Sequence, residues 1–179
     1  MSDSRRVRTL LRRWWVPDAI YAITANTYKG IPLFADEKNV ELLSLNLHKT
    51  QKHHPFHMLA YAYMPTHLHL LLHIPLGSNI SKVMHSVQRN FTLDYKRRHG
   101  LTKPTRLWHR GFYDHVIRDE IDLANHFAYI HHNPVHHGYV DHPRDYPHTS
   151  FQTYVQRGWY GEYLPGDIDL GYGDFEGAE

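Results

Sequence analysis

The sequence predicts an α+β fold: a ferredoxin-like split β-α-β unit with a central antiparallel sheet and one further helix at its C-terminal end. Three observations predict it. The elements read in the order strand, helix, strand, strand, helix, strand, and then helix, which is the order of the split unit plus one. The stretch MPTHLHLLLHIP, residues 64–75, alternates with a period of two: Leu68, Leu70, Leu72 and Ile74 share one face, and His67, His69, Leu71 and His73 the other. Between HMLAYAYM (57–64) and that run stands the dipeptide Pro65-Thr66, the punctuation of a tight antiparallel hairpin.

Each element has its own local reason. Ala19-Ile20-Tyr21-Ala22-Ile23-Thr24-Ala25 is rich in strand-favouring residues, and Gly30 and Pro32 end it. Asp36 caps a helix whose apolar face is read as Val40, Leu42, Leu43, Leu45 and Leu47. After the hairpin, Ser78 or Asn79 caps a helix that keeps Ile80, Val83, Met84, Val87 and Phe91 at helical spacing. It closes on Lys96-Arg97-Arg98 before Gly100. A loop through Lys103-Pro104 leads to a fourth strand, 112–117. Asp119 then caps the added helix from Glu120, with Asp122 also placed at its positive end. That helix is expected to stop near Asn133, because Pro134 disfavours helical geometry in the residue before it.

Composition narrows the chemistry. With no cysteine, disulfides, thiolate-zinc sites and thiol nucleophiles are excluded, and His, Asp, Asn, Ser and Tyr are left to act. Hydrophobic residues at 41% suffice for a core, and no apolar run approaches a membrane span, so a cytoplasmic protein with no membrane partner is expected. The net charge of +2 hides a division. Asp167, Asp169, Asp174, Glu176 and Glu179, with no Lys or Arg among residues 165–179, mask a remainder that carries +7 without them. A basic body with an acidic tail suits a polyanion partner.

His67 and His69 point the same way from one strand, as a pair of metal ligands would, although 18 histidines in 179 residues make such spacing easy to reach by chance. The added helix supplies independent partners. Asn125, Tyr129 and Asn133 form one stripe at i, i+4 and i+8, and the helix is free to cross the sheet face that carries the histidines. His132 is a rival ligand at i+3 from Tyr129, and Asn133 also suits a helix C-terminus. His73 lies about 13 Å along the strand from His69, too far to share an ion, and is read as surface or DNA-facing. His53-His54, His131-His132 and His136-His137 are read as solvated pairs.

MPTHLHLLLHIP, LWHRGFYDHVIRDEIDL and FAYIHHNPVHHGYV, followed by Asp145-Tyr146 and Thr149-Ser150-Phe151, resemble the single-tyrosine HUH transposases, and within them the REP-associated tyrosine transposases. The likeness runs from about Ala19 to Tyr154. It implies an HUH single-tyrosine transposase domain over 19–154 with the added helix as its catalytic helix, while the charge pattern alone marks a basic N-terminal arm over 1–18 and an acidic tail over 155–179. By the resemblance, Tyr129 is the nucleophile, and His67, His69 and Asn133 hold a divalent metal, Mg²⁺ or Mn²⁺.

The implied activity is a metal-dependent single-stranded DNA endonuclease and strand transferase that forms a 5′-phosphotyrosine intermediate on hairpin-forming repeat DNA. The alternative is a regulator that binds the hairpin without cleaving it. The implied partner is single-stranded or hairpin DNA, the form a monomer or homodimer, and the place a bacterial cytoplasm at the nucleoid. The residues read as DNA-binding are Arg12, Arg13, Trp14, Arg89, Lys96, Arg97, Arg98, Arg110 and Arg118. Trp15 and Trp108 are further candidates for stacking on unpaired bases.

Overall fold

A computed structural model describes residues 16–158 and 160. The basic arm through Trp15 and the acidic stretch 161–179, with Arg12, Arg13 and Trp14 among the sequence expectations, lie outside the described residues. The elements are β1 (Ala19–Asn26), α1 (Glu37–His53), β2 (His57–Tyr63), β3 (His67–Ile74), α2 (Ile80–Arg98), β4 (Tyr113–Val116), α3 (Glu120–His136) and a short α4 (Phe151–Gln156). The sheet order is β2-β3-β1-β4, and every neighbouring pair is antiparallel. That is the predicted α+β split unit.

The alternation in β3 decides which layer goes where. Leu68, Leu70, Leu72 and Ile74 join Tyr21, Ile23 and Ala25 of β1 under α1 and α2, where Leu43, Val83, Met84, Val87 and Phe91 fill the main core. Asp36 caps α1 through the backbone N–H of Lys38, and Asn79 caps α2 through that of Lys82. Leu45 departs from expectation. It stands 47% exposed, because the turn it occupies buries Asn46 toward α2 instead, where the Asn46 amide meets Asp94. Trp108 is also not a free stacking surface. It is buried against Phe34 and Phe91, at 5.7 and 5.5 Å between ring centroids, and its indole N–H donates to the Gln88 carbonyl.

The other sheet face is lined by Ala22, Ala60, Ala62 and Leu71, and here α3 packs with Tyr129 and Ile130. The three alanines leave room for ring side chains between helix and sheet. α3 does not end before Pro134 but runs through it to His136. Pro134 removes one N–H from the helix ladder. Burial of Asn133 and Pro134 outweighs that local bias, and the His137 N–H closes the last turn onto the Asn133 carbonyl. Gly138, at φ +68°, then turns the chain away.

After α3 the chain returns along the outer edge of β2. Tyr63 N–H donates to the His148 carbonyl, and Ser150 N–H to the Tyr61 carbonyl, so residues 148–150 cover an edge that would otherwise be open.

Candidate metal and nucleophile site

His67 and His69 begin β3 on the face that α3 covers, opposite Asn26 and Thr24 of β1. Both are buried, at 8% and 2% exposure, and their rings meet edge to face at 4.8 Å. A threonine holds each imidazole by the same nitrogen. Thr66 Oγ1 is 3.1 Å from His67 Nδ1, and Thr24 Oγ1 is 3.1 Å from His69 Nδ1. Such outer partners fix ring orientation and leave the two Nε2 atoms to face the site.

From α3, Asn133 is fully buried and places Oδ1 3.4 Å from His67 Nε2. The Tyr129 ring, one turn earlier, stands edge-on to His69 at 5.3 Å and 87°. His69 Nε2 and Asn133 Nδ2 are buried without a hydrogen bond of ordinary geometry. Buried polar atoms are rarely left so unless something else completes them. Burial first, and then the neighbouring imidazoles of His67 and His137, holds the His69 imidazole well below its usual range, with the Asn133 carboxamide opposing. It is therefore neutral, with a lone pair available to a cation. Two imidazole nitrogens and a carboxamide oxygen are a donor set that fits a divalent ion such as Mn²⁺ or Mg²⁺.

Of the two rivals on α3, the fold brings Asn133 to His67. His132 lies half-buried beside His136 and His142. His73 is away from the site, stacked on His57 at 5.5 Å and 3.0 Å from Asp18. Two solvated readings are corrected. His131 is fully buried, with Nε2 2.7 Å from Ser150 Oγ and Nδ1 bonded to the Tyr160 hydroxyl, and burial pushes its pKa down to about 3. His137 is half-buried with its ring 5.1 Å from that of His67, so it is a third imidazole at the site's margin. Its place at i+4 from Asn133 was the available signal.

The cationic candidates divide between the two faces. Arg89, Lys96, Arg97 and Arg98 belong to α2, in the layer behind the sheet from His67 and His69. Arg97 is paired with Asp94 at 2.7 Å, and Arg98 donates to the Lys38 carbonyl. Arg110 is exposed at the site's end of the sheet: it follows His109, whose N–H donates to the carbonyl of Asn26, the residue opposite His67. Arg118 is bound to Asp122 by its backbone N–H and by Nε. His115, Asp122 and His126 were not read as ligands from sequence, where Asp122 stood only as an acidic residue at the helix start, yet they form a second cluster of ligand-type atoms within 4.8 Å of one another. The i, i+4 spacing of Asp122 and His126 was visible, but the approach of β4 was not.

The family model described as transposase IS200 like matches residues 19–133, and the chain belongs to that family. A protein of Haemophilus influenzae named a REP-associated tyrosine transposase is 35% identical over 130 residues, covering 68% of this chain and 74% of its own length. The REP-associated tyrosine transposase of Escherichia coli K12 is 31% identical over 132 residues, covering 73% of each chain. Among solved structures, a REP-associated tyrosine transposase bound to a REP hairpin superposes with a TM-score of 0.74 at 26% identity. That match covers 89% of this chain and 94% of the other.

Proposed function

We propose that this transposase-family chain is a metal-dependent single-stranded DNA endonuclease and strand transferase, acting on hairpin-forming repeat DNA through Tyr129. The observation that carries the reading is the convergence of His67, His69 and Asn133 on one buried point, with the Tyr129 ring against it. The hairpin bound by the structural relative supports the substrate class.

In this reading His67 and His69, through Nε2, and Asn133, through Oδ1, hold the divalent ion. When bound, the ion neutralises charge on a phosphate oxygen of the scissile bond. Thr24 and Thr66 keep the two imidazoles aimed, and α3 carries both Tyr129 and Asn133, so nucleophile and ligand are positioned as one rigid unit. The Tyr129 oxygen attacks phosphorus, and its proton passes by way of solvent to the departing 3′ oxygen. The bond from phosphorus to the 3′ oxygen breaks, leaving a 5′-phosphotyrosine and a free 3′-OH. Attack by a 3′-OH on the phosphotyrosine reverses the step and transfers the strand, with no nucleotide hydrolysis required. Arg110, at the site's end of the sheet, and the arm through Arg12, Arg13 and Trp14 supply phosphate and base contacts.

The test is an adduct assay with labelled hairpin oligonucleotides carrying single-stranded flanks. A denaturation-resistant adduct that forms with Mn²⁺, fails with EDTA and is lost in Tyr129→Phe supports the reading. Tight hairpin binding with no adduct on any flank would replace it with the non-cleaving regulator.

A further inference from the structure

We propose that His115, Asp122 and His126 form a second divalent-metal site, separate from the first and selective for a borderline ion of the Zn²⁺ class, which clamps the N-terminal half of α3 to the edge strand β4.

The cluster is assembled from two elements. His115 lies on β4 opposite Ala22, and Asp122 and His126 are successive turns at the start of α3. His115 Nε2 is 2.9 Å from Asp122 Oδ2, and His126 Nδ1 is 3.1 Å from Asp122 Oδ1. The two rings are stacked, 13° from parallel with centroids 4.7 Å apart, so both present nitrogens to the same carboxylate. An ion with bonds of about 2.0–2.2 Å holds its ligand atoms roughly 3.3–3.6 Å apart in a tetrahedron and roughly 2.8–3.1 Å apart at the right angles of an octahedron. The two imidazole–carboxylate distances match the octahedral spacing and need open by only a few tenths of an ångström for the tetrahedral one.

Burial favours the same conclusion. Asp122 is 7% and His126 5% exposed, while the His115 side chain keeps 26% of its surface, so the cluster has a buried floor and an open side for entry. Two imidazoles and one carboxylate, with no thiolate, form a set that suits Zn²⁺-class ions over Mg²⁺ and leave a position for water.

An ion would replace contacts that the cluster already makes. Asp122 Oδ2 accepts from the Arg118 backbone N–H at 2.9 Å and from Arg118 Nε at 3.1 Å, and His126 Nδ1 also lies 2.9 Å from the Asp122 carbonyl. The Arg118 side chain is 74% exposed, so water can take over its contact with Asp122. Each histidine keeps its single proton by moving it to the other ring nitrogen, which turns the lone pair toward the ion. No redox step or co-reactant is involved.

The consequence reaches the first site. Asp122, His126, Tyr129 and Asn133 fall at i, i+4, i+7 and i+11 on α3, so one stripe carries both clusters about 10 Å apart. β4 is four residues long and, among the described residues, pairs with β1 alone, so an ion joining it to α3 would stiffen the mounting of Tyr129.

The test uses the full chain with His67→Ala and His69→Ala, which removes the first site. Titration with Zn²⁺ by calorimetry, and with Co²⁺ by visible absorption, is expected to show one equivalent bound. His126→Gln or Asp122→Asn added to that background is expected to weaken it at least tenfold, and Zn²⁺ is expected to raise the melting temperature of the background protein but not of these variants. Circular dichroism of the variants shows whether they fold. No binding in the double-alanine background, or binding unchanged by His126→Gln, would overturn the proposal and leave the cluster as an ion-pair network. Neither result bears on the adduct assay above.

Discussion

Replacing Ser150 with alanine tests how the C-terminal segment supports the helix that carries Tyr129. Ser150 is 5% exposed, and its hydroxyl is a hub: Oγ accepts from the Tyr61 N–H of β2 at 2.9 Å and lies 2.7 Å from His131 Nε2. Burial holds the His131 imidazole neutral, so one ring nitrogen donates and the other accepts between the Ser150 and Tyr160 hydroxyls. Ser150→Ala orphans one fully buried nitrogen and one partly buried N–H. The first costs about 1–3 kcal/mol and the second about 1 kcal/mol, so the expected loss is about 3 kcal/mol. For a chain of this length that lowers the melting temperature by about 6–12 °C.

Urea denaturation at constant m-value is the assay, combined with a double-mutant cycle against His131→Leu. Removing both partners leaves fewer orphaned groups than the single changes imply, so the double variant should lose at least about 1 kcal/mol less than the sum. A loss below about 1 kcal/mol for Ser150→Ala, or strict additivity in the cycle, would refute the hub.

Three further expectations follow from the same contacts. Thr24→Val removes the partner of His69 Nδ1 and should weaken metal affinity at the first site by about 10–100-fold, read by calorimetry, with stability changed far less. Arg110→Gln should lower hairpin affinity and reduce the slope of log K against log salt by about 1, whereas the double change Arg97→Gln and Arg98→Gln, behind the sheet, should leave both nearly unchanged. Burial pushes the Tyr146 phenol up to about 12, and its hydroxyl donates to the Tyr63 carbonyl at 2.9 Å. Its folded form therefore keeps a proton that the unfolded chain loses above pH ~10. Stability should fall as pH rises from 10 toward 12, by about 1.4 kcal/mol at pH 11, and Tyr146→Phe should flatten that fall in denaturation curves.

What was legible in the sequence was what periodicity and short-range capping encode. The alternation of β3 assigned Leu68, Leu70 and Leu72 to one layer and His67 and His69 to the other, and the i+4 spacing of Tyr129 and Asn133 put both on one side of α3. What was not legible depended on distant partners. Pro134 argued locally for a helix end, and burial of Asn133 against the sheet overrode it. His131 looked like a surface histidine because its partners, Ser150 and Tyr160, come from far along the chain. Trp108 looked like a stacking platform until Phe34 and Phe91 closed around it. Likewise, His115 meets Asp122 and His126 only because β4 feeds directly into α3 on the same face.

The central claim is that Tyr129 is the residue that joins DNA. Its most direct test is tandem mass spectrometry of the tryptic peptide from the covalent adduct formed on hairpin DNA with Mn²⁺. Cleavage after Arg118 and Arg144 yields one peptide holding both Tyr129 and Tyr139. Fragmentation that places the nucleotide mass on Tyr129 is the predicted result. A nucleotide on Tyr139, or on a tyrosine of any other peptide, would contradict the assignment and the site built around it.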